Sequence, residues 1–245
     1  MRSFDYIESG KTLLTPHTTS LLAAIHEAKG RQSIQTTVRP DILGTLVAVA
    51  RIQSTDASNR IEGISTSDSR LNDLVSEKVT PRNRNEEEIA GYRDALSVIH
   101  ESHDYIPITP NVILQLHRDL FRHTPLTFAG HFKDSDNVII ERDAHGTSTV
   151  RFAPPSALVT PELIERACSA YTQAIRDGHT DPLLAIAMFI LDFTCIHPFN
   201  DGNGRMSRLL TLLMLCRNGY MVGKYISIEH LIEQSKSTYY EALAA

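Results

Sequence analysis

The sequence predicts an all-α fold, a helical bundle interrupted by one small β-hairpin. Apolar residues recur at helical spacing along most of the chain, for example at Ile89, Tyr92, Leu96 and Ile99, whereas strictly alternating runs are few. Prolines and glycines stand where such segments would begin or end. These observations indicate helices of ordinary length joined by short loops.

One segment departs from the helical pattern. NVIIERDAHGTSTVRFAPP, residues 137–155, places β-branched and aromatic residues on both sides of a turn-rich centre from Asp143 to Gly146. The pattern predicts a single β-hairpin. The pattern alone does not decide whether this hairpin is functional or only structural.

The composition is that of a soluble globular protein. At 245 residues, with 42% hydrophobic and 22% charged residues, the chain is long enough to bury the core of an enzyme. A net charge of -5 argues against broad binding to nucleic acid or to an anionic membrane, so a phosphate site would be small and focused. The most apolar run, residues 183–196, is shorter than a bilayer span and contains Asp192, which indicates a buried helix.

The cysteines and the N-terminus predict a cytoplasmic protein. The three cysteines, Cys168, Cys195 and Cys216, lie in apolar helical stretches without C-x-x-C spacing, as reduced core residues do. The first residues form no apolar h-region and include Asp5 and Glu8, so we expect no signal peptide.

The stretch HPFNDGNGRMSR, residues 197–208, lies between two predicted helices. Pro182 suits a helix start, the apolar run continues to about Ile196, and Pro198 disfavours continuation. Helical spacing resumes directly after DGNG. A glycine-rich turn at a helix N-terminus favours anions, because backbone N–H groups and the helix dipole both attract negative charge.

The backbone and arginines of this stretch suit a polyphosphate. Gly202 and Gly204 permit positive φ, and Asn203 tolerates it, so that successive N–H groups can point at phosphate oxygens. Arg205 and Arg208 lie three residues apart on one helix face and can add charge-assisted hydrogen bonds.

Two further residues of the stretch suit metal and acid–base chemistry. Asp201 is a hard oxygen ligand, which fits Mg²⁺ shared with phosphates and water. His197, with an ordinary pKa of about 6.5, suits a general base. In the alternative, a plain turn, His197 and Phe199 would pack in the core and Asp201 would be a cap. The convergence on one loop favours the functional interpretation.

These residues resemble the pattern of the Fic family, HxFx(D/E)GNGRxxR. The resemblance implies a Fic fold that transfers AMP from ATP to a hydroxyl side chain of a target protein, with Mg²⁺ as cofactor. The related Doc branch, which phosphorylates, has a different loop. The matching residues are His197, Phe199, Asp201, Gly202, Asn203, Gly204, Arg205 and Arg208.

The resemblance also implies a role for each residue. His197 would deprotonate the target Ser, Thr or Tyr, whose oxygen attacks the α-phosphate and expels pyrophosphate. Asp201 would hold Mg²⁺, and Phe199 would anchor the loop in the core. The implied phosphate ligands are Asn203 and the amides of Gly202 and Gly204, with Arg205 at the inner part of the leaving group and Arg208 at the γ-phosphate.

The segment GHFKDSDNVIIERD and the following RFAPP resemble the flap hairpin of the family. There the backbone of a target pairs with an exposed strand, which is β-augmentation. The positions implied are Asn137, Val138, Ile139 and Ile140, and simple packing of these residues is the alternative. Lys133 stands where the family often has arginine.

The upstream stretch STDASNRIEG resembles the (S/T)xxxE(G/N) motif of an autoinhibitory Fic helix. Ser58 and Glu62 are four residues apart and share a helical face, and Gly63 suits a helix end. The resemblance implies that Glu62 pairs with Arg208 and blocks productive ATP binding. Its position indicates the class with an upstream inhibitor in the same chain, although so short a pattern also arises in helices where the glutamate is a solvated charge.

Near the C-terminus, Tyr239 and Tyr240 resemble a tyrosine pair of the family. Tyr240 and Leu243 would then line an adenine pocket, and core packing is the alternative. Because the chain stops at Ala245, before further family residues, we expect the Fic domain to be truncated there.

Other polar residues are interpreted as structural. The scattered histidines, His117 among them, show no metal spacing backed by acidic residues. Glu86, Glu87 and Glu88 precede an apolar helix face and are expected to be a solvated N-terminal cap.

The expected organisation is an N-terminal helical segment, residues 1–85, followed by a Fic domain, residues 86–245. The expected function is regulated protein adenylylation, whose partners are ATP and a protein with an acceptor hydroxyl, without membrane or nucleic acid. Two alternatives remain open, removal of AMP with Glu62 positioning a water, and an inactive nucleotide-sensing module. The sequence also leaves a homodimer open.

Overall fold

The computed structural model describes residues 4–38, 40–142 and 148–244, and it confirms the predicted helical bundle. Short 3-10 turns occur at His103–Tyr105 and Ala157–Val159. The α-helices within the described residues are α1 (Tyr6–Leu13), α2 (Pro16–Val38), α3 (Pro40–Ile61), α4 (Asp68–Val75), α5 (Arg84–Ser102), α6 (Pro110–Leu120), α7 (Thr160–Asp177), α8 (Pro182–Ile196), α9 (Asn203–Arg217), α10 (Val222–Tyr225), α11 (Ile228–Gln234) and α12 (Lys236–Ala244).

Two short strands occupy the segment that breaks the helical pattern. β1 (Ile139–Arg142) and β2 (Ser148–Phe152) pair antiparallel, with Arg142 opposite Ser148. The connecting residues 143–147, where the turn is predicted, lie outside the described residues. The complete hairpin and its role as a flap therefore stay predictions.

The apolar helix α8 lies at the centre of the core. It begins at Pro182, where the Asp181 side chain accepts a hydrogen bond from the Leu183 N–H, and it packs against α7 and α9. Phe189 and Phe193 are fully buried, and each such side chain contributes about 1.5–3 kcal/mol by leaving water. The prediction of a helix from Pro182 to about residue 196 is confirmed. Within the described residues, every helix is too short or too polar to cross a bilayer.

The N-terminal helices share this core. Tyr6 of α1 is buried and donates a 2.8 Å hydrogen bond to the buried carboxylate of Asp192 in α8, and Leu22 of α2 belongs to the same apolar cluster. A second cluster is formed by residues of α4 and α5. The predicted boundary at residues 85 and 86 falls inside the first turn of α5, and the division into two domains stays a prediction.

Candidate active site

The predicted anion-binding loop joins the C-terminal end of α8 to the N-terminal end of α9. His197 ends α8 in the left-handed conformation, with φ 49° and ψ 63°, and its N–H donates to Phe193 O at 3.0 Å. Gly202 takes φ 81° directly before α9, and a Cβ there would approach the Phe121 ring to 2.9 Å. Glycine is thus required at this position by both conformation and space. The amides of the first turn of α9 have no acceptor within the helix, so they are suited to an anion.

The loop is anchored by Phe199 and closed by Asn203. Phe199 is fully buried and stacks on the His117 ring, with 3.7 Å between centroids. The Asn203 side chain accepts from Phe199 N at 2.9 Å and donates to Phe199 O at 2.8 Å. The Asn203 side chain therefore maintains the shape of the loop. Because both of its polar atoms bond to Phe199, the predicted contact with phosphate would be made by the backbone N–H of Asn203.

His117 is a loop-supporting residue whose role the sequence analysis missed. Its Nδ1 accepts from Gly130 N at 2.9 Å, so its Nε2 carries the proton and donates to Asp201 O at 3.1 Å. Burial lowers its pKa to about 4, against the raising effect of the bond to Asp201. His117 is thus a neutral side chain that supports the loop through hydrogen bonds. No local pattern signals it, because 84 residues separate it from Asp201.

His197 lies half-buried at the mouth of the loop. Burial lowers its pKa, the charge of Lys133 lowers it further, and a hydrogen bond with the Thr194 backbone and the charge of Glu62 oppose this in part. Lys133 is 3% exposed and donates to Ile196 O at 3.2 Å. The imidazole is therefore neutral at neutral pH, as a general base must be.

Asn137 connects the segment before β1 to the loop. It accepts a hydrogen bond from Lys133 Nζ at 2.9 Å and donates to Phe199 O at 3.3 Å. Val138 is exposed and Ile139 is half-buried, while the Ile140 side chain lies outside the described residues. Docking of a target at these positions stays a prediction.

Asp201 keeps a half-exposed carboxylate among cations. Its Oδ1 accepts from Gly202 N at 2.6 Å, and its side chain is 45% exposed. Arg84 Nη2 lies 3.6 Å from Oδ2, and Arg205 Nη2 lies 3.7 Å from Oδ1. In the part of the chain that the structure describes, no three His, Cys, Asp or Glu side chains converge. The site fits a cation shared between one carboxylate and the oxygens of a phosphate rather than a cage of protein ligands.

Arg205 is buried against a carboxylate rather than open to solvent. It is 1% exposed, its Nη1 lies 2.6 Å from Glu88 Oε2, and its guanidinium lies 5.1 Å from the Phe121 ring centroid. The prediction of a solvated cap is wrong for Glu86 and Glu88, which are each 3% exposed because each has an arginine partner. The partner of Glu86 is Arg70, whose hydrogen bonds are the main reason that its pKa falls to about 2.

The structure brings Glu62 and Ser58 to Arg208. Arg208 is 3% exposed, and its Nη2 lies 2.7 Å from Glu62 Oε1. Its Nε donates to Ser58 Oγ at 2.8 Å, and Nη2 donates to Ser58 O at 2.9 Å. Gly63 follows with φ 79°. Glu62 Oε1 also lies over Gly204, where an added Cβ would overlap it. A carboxylate thus lies directly on the first turn of α9, beside the predicted anion-binding loop.

The predicted adenine pocket is not described by the structure. Tyr240 and Leu243 belong to α12, but their side chains lie outside the described part of the chain. Their contact with adenine stays a prediction.

The fold and the site together define a mainly helical protein with a loop suited to a polyphosphate, next to a neutral histidine and a half-exposed aspartate. Residues 107–215 match the model of the Fic/DOC family. Over this segment the chain is therefore similar to the Fic/DOC family, and parts of it are similar to Fic adenylyltransferases.

Curated relatives share parts of the chain. A Fido domain-containing protein of Dictyostelium discoideum is 37% identical over 90 residues, which are 35% of this chain and 58% of that protein. Protein adenylyltransferase fic-1 of Caenorhabditis elegans is 28% identical over 56% of this chain and 25% of its own length. Protein adenylyltransferase Fic of Nematostella vectensis is 25% identical over 66% of this chain and 37% of its own length. The chain thus spans 58% or less of each of these relatives.

Solved structures of the same fold cover nearly the whole chain. A Fic domain containing signaling protein from Bacteroides thetaiotaomicron aligns with a TM-score of 0.74 and 24% identity, over 91% of this chain and 80% of that one. A Fic family protein from Desulfovibrio desulfuricans aligns with a TM-score of 0.75 and 24% identity, over 94% and 66%. The predicted Fic fold is confirmed.

Proposed function

We propose that this protein transfers AMP from ATP to a hydroxyl side chain of a target protein, itself included, with release of pyrophosphate. The observation that carries the proposal is the complete eight-residue pattern, which runs from the end of α8 through the connecting loop into the first turns of α9, within the segment that matches the Fic/DOC family. Two of the relatives are named protein adenylyltransferases, which supports the same activity here.

In this reaction, neutral His197 accepts the proton of the acceptor hydroxyl. The hydroxyl oxygen attacks the α-phosphorus, the bond from that phosphorus to the bridging oxygen breaks, and the electron pair leaves with pyrophosphate. The amides and dipole at the start of α9 stabilise negative charge on the phosphates. The lowered pKa of His197 supports its role, because the base is then in its neutral form at neutral pH.

Asp201 is the residue we propose for holding Mg²⁺ together with the phosphates of ATP. The ion supplies positive charge that neutralises the phosphate oxygens. The half-exposed carboxylate of Asp201 and its hydrogen bond from Gly202 N support this assignment, because one oxygen is oriented while the side chain remains accessible.

Glu62 restrains the reaction in this proposal. Its carboxylate holds Arg208, the proposed partner of the γ-phosphate, and it lies against Gly204 in the first turn of α9. A phosphate in that position would meet a like charge and would have to displace the pair. Removal of the carboxylate should therefore raise transfer by freeing both the arginine and the loop.

The test incubates wild type, Glu62→Gly and Glu62→Gly/His197→Ala with Mg²⁺ and ATP labelled at the α-phosphate. We expect label and the added mass of AMP on Glu62→Gly, far less on wild type, and none on the double variant. ATP labelled at the γ-phosphate is the control, since it would label the protein only by phosphorylation. Absence of α-label from Glu62→Gly that still binds ATP would reject the activity, and equal labelling of wild type and Glu62→Gly would reject the restraint.

Removal of AMP from a modified protein is a second candidate. The position of Glu62 favours it, because its carboxylate lies over the loop and its charge acts on His197, as expected of a group that orients a water molecule. AMP-modified protein prepared with Glu62→Gly is incubated with wild type, and free AMP is measured by chromatography. If wild type releases no AMP, this candidate is rejected, while binding of ATP without turnover in any variant would favour a nucleotide-sensing module.

A further inference from the structure

Two buried carboxylates at the start of α5 lie outside the proposed chemistry. Glu86 and Glu88 are each 3% exposed and stand two residues apart. Glu86 is held by Arg70 of α4, with additional hydrogen bonds from the Arg82 N–H and the Thr66 hydroxyl. Glu88 contacts the loop-bearing helix α9 instead.

Glu88 holds two arginines. Its Oε2 lies 2.6 Å from Arg205 Nη1, and its Oε1 accepts a hydrogen bond from Arg84 Nε at 2.8 Å. The Arg205 side chain is 1% exposed and the Arg84 side chain is 60% exposed. One carboxylate thus connects a buried cation to an exposed one.

Both arginines also approach Asp201. Arg84 Nη2 lies 3.6 Å from one carboxylate oxygen and Arg205 Nη2 lies 3.7 Å from the other. Asp201 therefore stands between two guanidinium groups whose positions are both set by Glu88. The four side chains carry two positive and two negative formal charges, so the group is balanced before any ligand binds.

A buried ion pair of this kind adds little net stability. Desolvation of the two charges offsets much of their attraction, whereas loss of one partner leaves a buried charge without compensation. Without the Glu88 carboxylate, the Arg205 guanidinium would have to reorient toward Asp201 or toward solvent. Either movement would change the charge distribution on the loop that faces the phosphates.

We propose that Glu88 is a positioning residue of the nucleotide site, which holds Arg205 and Arg84 on two sides of Asp201 so that the loop is set to receive MgATP. The inference rests on the proposed function, because it takes Asp201 and the start of α9 as the MgATP site. Glu88 acts through the two arginines and does not contact the nucleotide.

The test is calorimetric titration of MgATP into Glu62→Gly, Glu62→Gly/Glu88→Gln and Glu62→Gly/Glu86→Gln. Glu86→Gln is the matched control, since it removes an equally buried charge from the same helix but from the pair with Arg70. We expect Glu88→Gln to raise the Kd for MgATP by about tenfold or more, as loss of a group that orients a ligand does, and Glu86→Gln to change it by less than about twofold.

The outcomes separate this inference from the proposed function. Equal Kd values for the Glu88→Gln and Glu86→Gln proteins would overturn the role of Glu88 alone. No binding of MgATP to Glu62→Gly itself would overturn the proposed function and the inference with it. If the Glu88→Gln protein does not fold, MgATP is titrated into Glu62→Gly/Arg84→Gln instead. Arg84 is chosen because its side chain is exposed. A Kd raised by about threefold or more supports the inference, since an exposed ion pair is worth up to about fivefold, and an unchanged Kd overturns it.

Discussion

At the scale of single residues, His197 combines an unusual backbone conformation with a depressed pKa. Its left-handed φ of 49° costs about 1–2 kcal/mol for a residue with a Cβ, and the structure tolerates this where α8 must end. The same position partly buries the imidazole near Lys133, and both effects lower its pKa, so that protonation is disfavoured. The turn that ends the helix therefore also keeps the proposed base neutral.

This environment predicts the titration of His197. Since burial and then Lys133 lower its pKa, the imidazole should titrate below 6.5 in the wild type. Because the charge of Glu62 raises the pKa, Glu62→Gln should shift the midpoint further down. NMR titration of the ring C–H signals measures both, with His197→Gln used to assign the resonance. A midpoint at or above 6.5, or an upward shift in Glu62→Gln, would contradict the electrostatic account.

At the scale of secondary-structure elements, the end of α3 is tied to the C-terminal helices. Arg60 Nε lies 3.1 Å from Glu233 Oε1 of α11, and Lys236 Nζ at the start of α12 donates to Ile61 O at 3.0 Å. The last turn of α3 carries Ser58 and leads directly into Glu62. The position of the proposed inhibitory carboxylate therefore depends on contacts with α11 and α12 as well as on Arg208.

If the contacts of α3 with α11 and α12 hold Glu62 in place, weakening one of them should raise the rate of AMP transfer in part. Glu233→Arg replaces attraction to Arg60 by repulsion, and an exposed pair of this kind is worth about 0.2–1 kcal/mol. We expect basal self-modification to rise by up to about fivefold, well short of Glu62→Gly. Initial rates of AMP incorporation measure this, with Glu27→Arg, which breaks the exposed pair of α2 with Arg31, as the control. An unchanged rate in Glu233→Arg would show that the ion pair between Arg60 and Glu233 does not hold Glu62 in place.

At the scale of the whole molecule, two buried histidines link stability to pH. Burial lowers the pKa of His100 and of His117 from 6.5 to about 4. Between these values the unfolded chain binds more protons than the folded one. Their contribution to stability is therefore full above pH 6.5 and is lost as the pH falls toward 4.

The urea midpoint should accordingly be lower at pH 5 than at pH 7. Each histidine contributes a loss of roughly 2 kcal/mol over this interval by the linkage of pKa to stability. Glu86, with a pKa of about 2, adds a separate loss only between about pH 4.5 and pH 2, where its carboxylate becomes protonated. Denaturation in urea at both pH values, repeated with His100→Gln, measures the effect. A midpoint that does not change with pH, or an identical change in the variant, would contradict it.

Much of the fold and part of the site were predictable from local pattern. The limits of α8 follow from Pro182 and from Pro198, and the position of the glycine-rich turn follows from the resumed spacing after it. The approach of Glu62 to Arg208 was expected only through the resemblance to a family motif, because 146 residues separate the two.

The sequence by itself determined the helical class, the limits of α8 and the chemical character of the loop, because these depend on backbone preferences and on spacing within a few residues. Only the tertiary structure decided that His117 supports Asp201, that Lys133 lies beside His197 and that Glu88 is buried between two arginines. A glutamate that caps a helix in solvent and a glutamate that is buried in an ion pair have the same local pattern. What separates them is an arginine brought within hydrogen-bonding distance by the packing of α9 on α5.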